Sequence, residues 1–260
     1  TPIKSSAASD VYKRQVWKEK QMYNNFIFDL YGTLIDIRTD EWSKATWKKY
    51  AGWLKTEGIR YSARKVKKRY DELIGRQIEE LKKQNKHEYP EPDVIPVFAA
   101  ICRDKRPDYT DEEVYKAAEQ FRIISTEFVK LYPNTLKVLK ELREAGKKIY
   151  LLSNAQRAFT WQELESTGLV PCFDDIFISS DEGCKKPDKD FFNALIKKHG
   201  LDVKECIMVG NDGSSDIAGA AAAGMDAAYI RTAISPENEP VPECKYVFLD
   251  GDIGHIRSDM

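Results

Sequence analysis

From Leu131 to Leu249 the chain alternates short apolar runs with segments of helical period. The runs are Lys148–Leu152, Asp175–Ser179, Cys206–Val209, Ala227–Ile230 and Tyr246–Leu249. Between them the spacing predicts helices over Thr135–Ala145, Phe159–Thr167, Lys189–His199 and Ser215–Ala223. Three of these helices meet a glycine that stops them, at Gly146, Gly168 and Gly224. Strands joined through helices must run parallel, because a parallel pair needs a long crossover. The pattern therefore predicts an α/β chain with a parallel sheet covered on both faces. One further apolar run, Phe26–Phe28, stands far upstream and reads as another buried strand.

The text between them differs. From Glu41 to about Glu127 it is helical in character. Trp42, Trp47, Tyr50 and Trp53 recur at helical spacing, and a second helix is expected over Ser62–Lys83, with Ser62 as its N-cap. Pro90, Pro92 and Pro96 mark a loop. Helices follow near 94–103 and 111–130, the latter opened by a capping box of Thr110 and Glu113. The tryptophans read as the core of this helical block. The run Arg64–Arg69 reads as a solvated face, or more sharply as a surface that attracts an anion. Residues 1–21 resemble translated sequencing-adapter text, so the expected natural start is Met22 and the leader is artefactual or disordered. The expected domains are a catalytic core over 22–40 and 128–260 and a helical insertion over 41–127.

Charge and thiols narrow the function classes. The net charge is −1, which gives no reason to expect nucleic acid or an anionic membrane as partner. No apolar run is long enough to span a bilayer. Five scattered cysteines without a Cys-x-x-Cys pair point to reduced thiols in the cytoplasm. The three histidines, His87, His199 and His255, lack partners at metal-ligand spacing. Chemistry must rest on carboxylates, lysines and hydroxyls.

Those groups stand at or just beyond strand ends. Asp29 follows Phe26–Phe28 and precedes Gly32; Ser153 and Asn154 end one run; Asn211 and Asp212 end another, with Asp216 beyond; Lys186 lies in a loop. In a doubly wound sheet these ends share one edge, where such folds hold ligands. Together they make a kit for phosphoryl transfer. Asp29 would attack and form an aspartyl phosphate. Lys186 would offset developing charge and Ser153 would donate to a phosphoryl oxygen. A magnesium ion would take the hard oxygen ligands.

The stretches FDLYGTLID (28–36), YLLSNA (150–155), KKPDKDFF (185–192) and MVGNDGSSDIAGAAAAGM (208–225) resemble the haloacid dehalogenase-like superfamily of hydrolases. That resemblance implies a Rossmann-like doubly wound core and makes the helical insertion a cap domain. It implies that Asp29 is the nucleophile, that Ser153, Asn154, Lys186 and Thr33 serve substrate binding or catalysis, and that magnesium is held by Asp29, the Tyr31 carbonyl and Asn211 or Asp212, supported by Asp216.

Two positions depart from the phosphatase pattern. Tyr31 stands where the phosphatases carry an acid, and a free phenol with a pKa near 10 is a poor base at neutral pH. Asn211 stands at the first acidic position of the last motif. The Asp-x-Tyr-Gly-Thr text is similar to that of 2-haloacid dehalogenases, in which halide leaves without a proton. Those enzymes use a cap arginine, for which Arg60 and Arg69 are candidates, and a tyrosine where this chain has Phe192. The primary expectation is a magnesium-dependent phosphatase of a small phosphorylated metabolite, with a leaving group that needs no acid. The alternatives are a 2-haloacid dehalogenase and a catalytically impaired binding or regulatory protein.

Overall fold

The computed structural model describes residues 23–235 and 240–260. The expected leader and the start at Met22 lie outside the described residues. Six strands form a parallel sheet: β1 (Asn25–Phe28), β4 (Lys148–Ser153), β5 (Asp175–Ile178), β6 (Cys206–Gly210), β7 (Asp226–Ile230) and β8 (Tyr246–Phe248). Their spatial order is β5-β4-β1-β6-β7-β8. The chain thus starts in the middle, builds outward through β4 and β5, and returns to the other side of β1. β1 is the switch point, and crevices open beyond the carboxyl ends of strands at such points.

The register aligns the strand ends. Phe28 pairs with Leu151 on one side and Val209 on the other. Asp29, Ser153 and Asn211 therefore emerge within two residues of one level. The alternating side chains fill two cores. Phe26, Phe28, Leu151 and Val209 pack on one face with Val138, Leu139 and Leu142 of α5 (Thr135–Glu144). Ile27, Tyr150, Leu152 and Met208 pack on the other with Phe191, Phe192 and Leu195 of α8 (Lys189–His199). Each such buried side chain contributes about 1.5–3 kcal/mol relative to exposure.

The helical segment comprises α1 (Lys44–Thr56), α2 (Ala63–Gln84), α3 (Val94–Arg103) and α4 (Asp111–Ser125). Ser43, Ser62 and Asp93 cap the first three, and the Thr110–Glu113 capping box is present on the fourth. These helices share a third core around Trp47, Tyr50, Phe98 and Phe121, which reaches Phe159 on α6 (Arg157–Ser166). The aromatic stripe is only partly core. Trp47 is 2% exposed, whereas Trp42 is 72% exposed, with Lys67 over its ring. Within the basic run, Lys67 and Lys68 pair with Asp71 and Glu72 one turn on, as expected of a solvated face.

The helix expected over 111–130 ends at Ser125. Thr126–Leu131 is instead a strand, β3, paired antiparallel with β2 (Ile35–Thr39). β-branched and aromatic residues recur in both strands, as at Ile35, Ile37, Phe128 and Val129, and pairing with β2 outweighs continuation of the helix. This two-stranded ribbon carries the chain into and out of the helical segment. A second connection joins the two regions elsewhere. Glu91 N donates to Gly183 O at 3.0 Å, Lys185 N to Tyr89 O at 3.0 Å, and Tyr89 N to Asp188 Oδ2 at 3.1 Å. No helix among the described residues is long and apolar enough to cross a membrane.

Candidate active site

Asp29 leaves β1 with its amide bonded to Val209 O, which fixes the residue to the centre of the sheet edge. Its side chain is buried between two groups. Oδ1 accepts from Lys186 Nζ at 2.6 Å, and Oδ2 lies 3.3 Å from Thr33 Oγ1. Thr33 Oγ1 is also 3.3 Å from Asn211 Oδ1, so one hydroxyl links the β1 and β6 tips. Gly32 permits this approach. Its φ is +89°, and a Cβ there would stand 2.3 Å from Asn211 Nδ2.

Lys186 is the hub of the floor. Its ammonium lies 2.6 Å from Asp29 Oδ1 and 2.7 Å from Asp216 Oδ1, with the side chain 1% exposed. Burial opposes its charge, but the flanking carboxylates of Asp216 and Asp29 outweigh that and raise its pKa. Burial pushes the Asp216 carboxyl up, against the pull of Lys186 and with the help of the Asp29 charge. Asn154 holds the Lys186 backbone on both sides. Its Oδ1 accepts from Lys186 N at 2.8 Å and its Nδ2 donates to Lys186 O at 2.9 Å. Asn154 is therefore a brace for the lysine loop. Ser153 is fully buried at the end of β4, and its hydroxyl has no hydrogen-bond partner. A buried hydroxyl without a partner is costly unless something occupies its direction.

The tip of β6 divides its acids unequally. Asp212 Oδ1 accepts from Ser214 N at 2.8 Å and Ser215 N at 3.0 Å, capping the wide helical turn Gly213–Ile217. These bonds engage one oxygen of the Asp212 carboxylate in the turn. Asp216 reaches the floor. Its Oδ2 accepts from the amides of Asn211 and Asp212, each at 3.0 Å, and its Oδ1 faces Lys186. Asp29, Asn211 and Asp216 form a set of hard oxygen donors. Asp216 Oδ1 is buried against the Lys186 ammonium at 2.7 Å. This donor set fits magnesium.

Tyr31 turns to a different network. Its hydroxyl donates to Glu163 Oε2 and contacts Thr160 Oγ1 at 2.9 Å, both on α6. Burial and then the Glu163 charge raise its pKa far above the ordinary phenol value, so it is no base at neutral pH. Arg122 of α4 lies over its ring, with the guanidinium 5.7 Å from the centroid. Arg122 Nε donates to Glu163 Oε1 at 2.7 Å and NH1 to Glu41 Oε1 at 2.6 Å. The motifs do not carry Arg122, Glu163 or Glu41. Arg122 is the arginine that lines the cavity; Arg60 and Arg69, the arginines singled out in the sequence, are not among its lining residues.

That cavity, about 550 Å³, opens between the sheet edge and the helical segment and is bounded by Tyr31, Asn154, Arg122, Trp42, Phe159 and Lys185, among others. A cleft of about 680 Å³ between α1 and α2 is lined by Lys44, Lys48, Arg64 and Trp47, and none of the residues singled out for catalysis reaches it. His87, Asp188 and Asp190 also gather within 4.8 Å, where His87 tethers the 85–93 loop to α8.

Residues 23–224 match the model of the haloacid dehalogenase-like hydrolases. The chain belongs to this family. Among its relatives, glyceraldehyde 3-phosphate phosphatase of Methanocaldococcus jannaschii is 35% identical over 94 residues, which cover 36% of this chain and 41% of that protein. The match thus spans less than half of that relative. A phosphatase structure from Thermococcus onnurineus superimposes with a TM-score of 0.55 at 20% identity, covering 86% of this chain and 93% of the other. A 2-haloacid dehalogenase structure from Pseudomonas syringae pv. Tomato does so with a TM-score of 0.55 at 20% identity, covering 88% and 95%. The family members with this fold therefore include both chemistries, and the choice between them falls to the site.

Proposed function

We propose that this chain is a magnesium-dependent phosphohydrolase of a small phosphorylated metabolite, with Asp29 as nucleophile and the 44–125 helices as a cap. The observation that carries the reading is the buried floor. A carboxylate at a strand tip stands against a lysine, beside an unpartnered serine hydroxyl. Asp29 attacks phosphorus, an Asp29 O–P bond forms, and the ester P–O bond breaks with its electron pair going to the leaving group. Water then attacks phosphorus, the aspartyl bond breaks and phosphate leaves. Ser153 donates to a phosphoryl oxygen and Lys186 offsets its charge. Asp29, the Tyr31 carbonyl, Asn211 and Asp216 would hold the magnesium, which when bound neutralises charge on the phosphoryl oxygens. Tyr31 supplies no acid, so the leaving group departs without a proton, as from an acyl, anomeric or aryl phosphate. Five free cysteines suit a cytoplasmic setting.

A 2-haloacid dehalogenase is the second reading. The phenol of Tyr31 and the neutral Asn211 favour it, since halide needs neither acid nor metal. A paired assay separates the two: phosphate release from an aryl phosphate with magnesium, and halide release from 2-chloropropionate with a chelator. Phosphate release that is lost in Asp29→Ala is expected. Chelator-resistant halide release would replace the proposal with the second reading.

A further inference from the structure

The cavity between the sheet edge and the cap is lined by two carboxylates and two cations, and they are paired with one another. Glu41 pairs with Arg122 at 2.6 Å, and Glu91 pairs with Lys185 at 3.1 Å. Arg122 is held a second time by Glu163 at 2.7 Å. Both cations on the cavity wall thus already face a carboxylate, and with Glu163 the acids outnumber them. The uncharged remainder is mainly apolar or aromatic, with Ile37, Trp42, Tyr70, Ile74, Val94 and Phe159, and carries neutral polar groups at Thr39, Asn154, Gln156 and Thr160. Burial raises the pKa of Glu91 despite the opposing pull of Lys185 beside it.

We infer that the site takes phosphate monoesters whose leaving group is uncharged and largely apolar, and discriminates against leaving groups that carry a carboxylate. This deepens the phosphohydrolase reading and rests on it. The phosphoryl group is accommodated by the floor, where Lys186 and Ser153 stand. The leaving group projects toward the cap. A carboxylate there loses its water and meets two cations whose partners must first be displaced, which costs more than the contact returns. An apolar group meets Trp42, Tyr70 and Phe159 and gains from burial.

Phenyl phosphate and 4-carboxyphenyl phosphate test this directly. They differ in one carboxylate, and the carboxylated phenol is the better leaving group, so leaving ability favours the wrong answer. With magnesium present, kcat/KM for phenyl phosphate is expected to exceed that for 4-carboxyphenyl phosphate by at least about tenfold. Glu91→Gln removes the partner of Lys185 and keeps the side-chain shape; it should narrow that ratio by about threefold or more. Glu41→Gln is the second variant and should narrow it in the same direction through Arg122. Equal turnover of the two esters, or a preference for the carboxylated one, overturns the substrate class and leaves the phosphohydrolase standing. An unchanged ratio in both variants overturns the role assigned to the paired cations. Failure to hydrolyse either ester above the level of Asp29→Asn removes the phosphohydrolase reading and this inference with it.

Discussion

The buried cluster at the strand tips, the floor, and the wall of the cavity beside it, the roof, use the same side-chain types to opposite ends. In the floor, Lys186 lies between Asp29 and Asp216, leaving one more acid than base, with an unpartnered serine hydroxyl nearby. In the roof, Arg122 lies between Glu41 and Glu163 and Lys185 lies against Glu91. Both arrangements are ion pairs at short distance. Each leaves one carboxylate in excess, and they differ in what surrounds it. The floor retains hydroxyl and carboxylate oxygens at the end of a rigid strand, as reactive groups must be held. The roof has tied its cations to carboxylates and presents mainly apolar and aromatic surface with a few neutral polar groups. Charge in the floor serves the proposed chemistry, while charge in the roof ties the 41–125 region to α6 through Arg122 and to the lysine loop through Glu91.

The largest expected effect is on the floor. Asp29→Asn should lower the rate of phosphate release by at least about 10³-fold while circular dichroism stays unchanged. Lys186→Met should follow. It leaves Asp29 and Asp216 buried without their cation, at a cost of about 3–5 kcal/mol in urea denaturation. A loss below about 1 kcal/mol would show that the pair is not the hub of the floor. Glu163→Gln probes the roof. It loosens Arg122 and the Tyr31 hydroxyl, with about 1–3 kcal/mol of destabilisation expected and less than about a tenfold fall in kcat. A fall as deep as that of Asp29→Asn would erase the distinction between floor and roof. The smallest effect concerns the buried phenols. Burial raises the pKa of Tyr31, with Glu163 adding to it, and burial likewise raises that of Tyr50. A group whose folded pKa lies above its unfolded value contributes stability below the unfolded value, about 10, that is lost as pH climbs. Tyrosinate absorbance at pH about 11 should therefore fall short of full ionisation in the folded protein, and stability should decline only above pH about 10.

The floor was far more legible in the sequence than the roof. Asp29, Ser153 and Asn211 follow apolar runs that fix them at strand ends, and strand ends of a parallel sheet share an edge. Lys186 lies in a loop, and its motif marked it. Glu41, Arg122 and Glu163 have no such marker. Arg122 and Glu163 lie on helices and Glu41 just before one, where a charged residue reads alike whether it meets water or a cavity. The acids of the β6 tip were legible in principle. Asp212 is followed by Gly-Ser-Ser, a sequence suited to an N-cap, so the competing claim on its carboxylate was present in the text. Strand β3 was hidden for another reason. No glycine or proline interrupts Asp111–Leu131, and only pairing with β2 reveals where the helix stops.

Rapid acid quench during turnover of phenyl phosphate, followed by mass spectrometry of the peptide that contains Asp29, tests the central claim most directly. A phosphoryl adduct on Asp29 that rises and decays within the turnover is the predicted result. Steady phosphate release with Asp29 unmodified at every time point would contradict it.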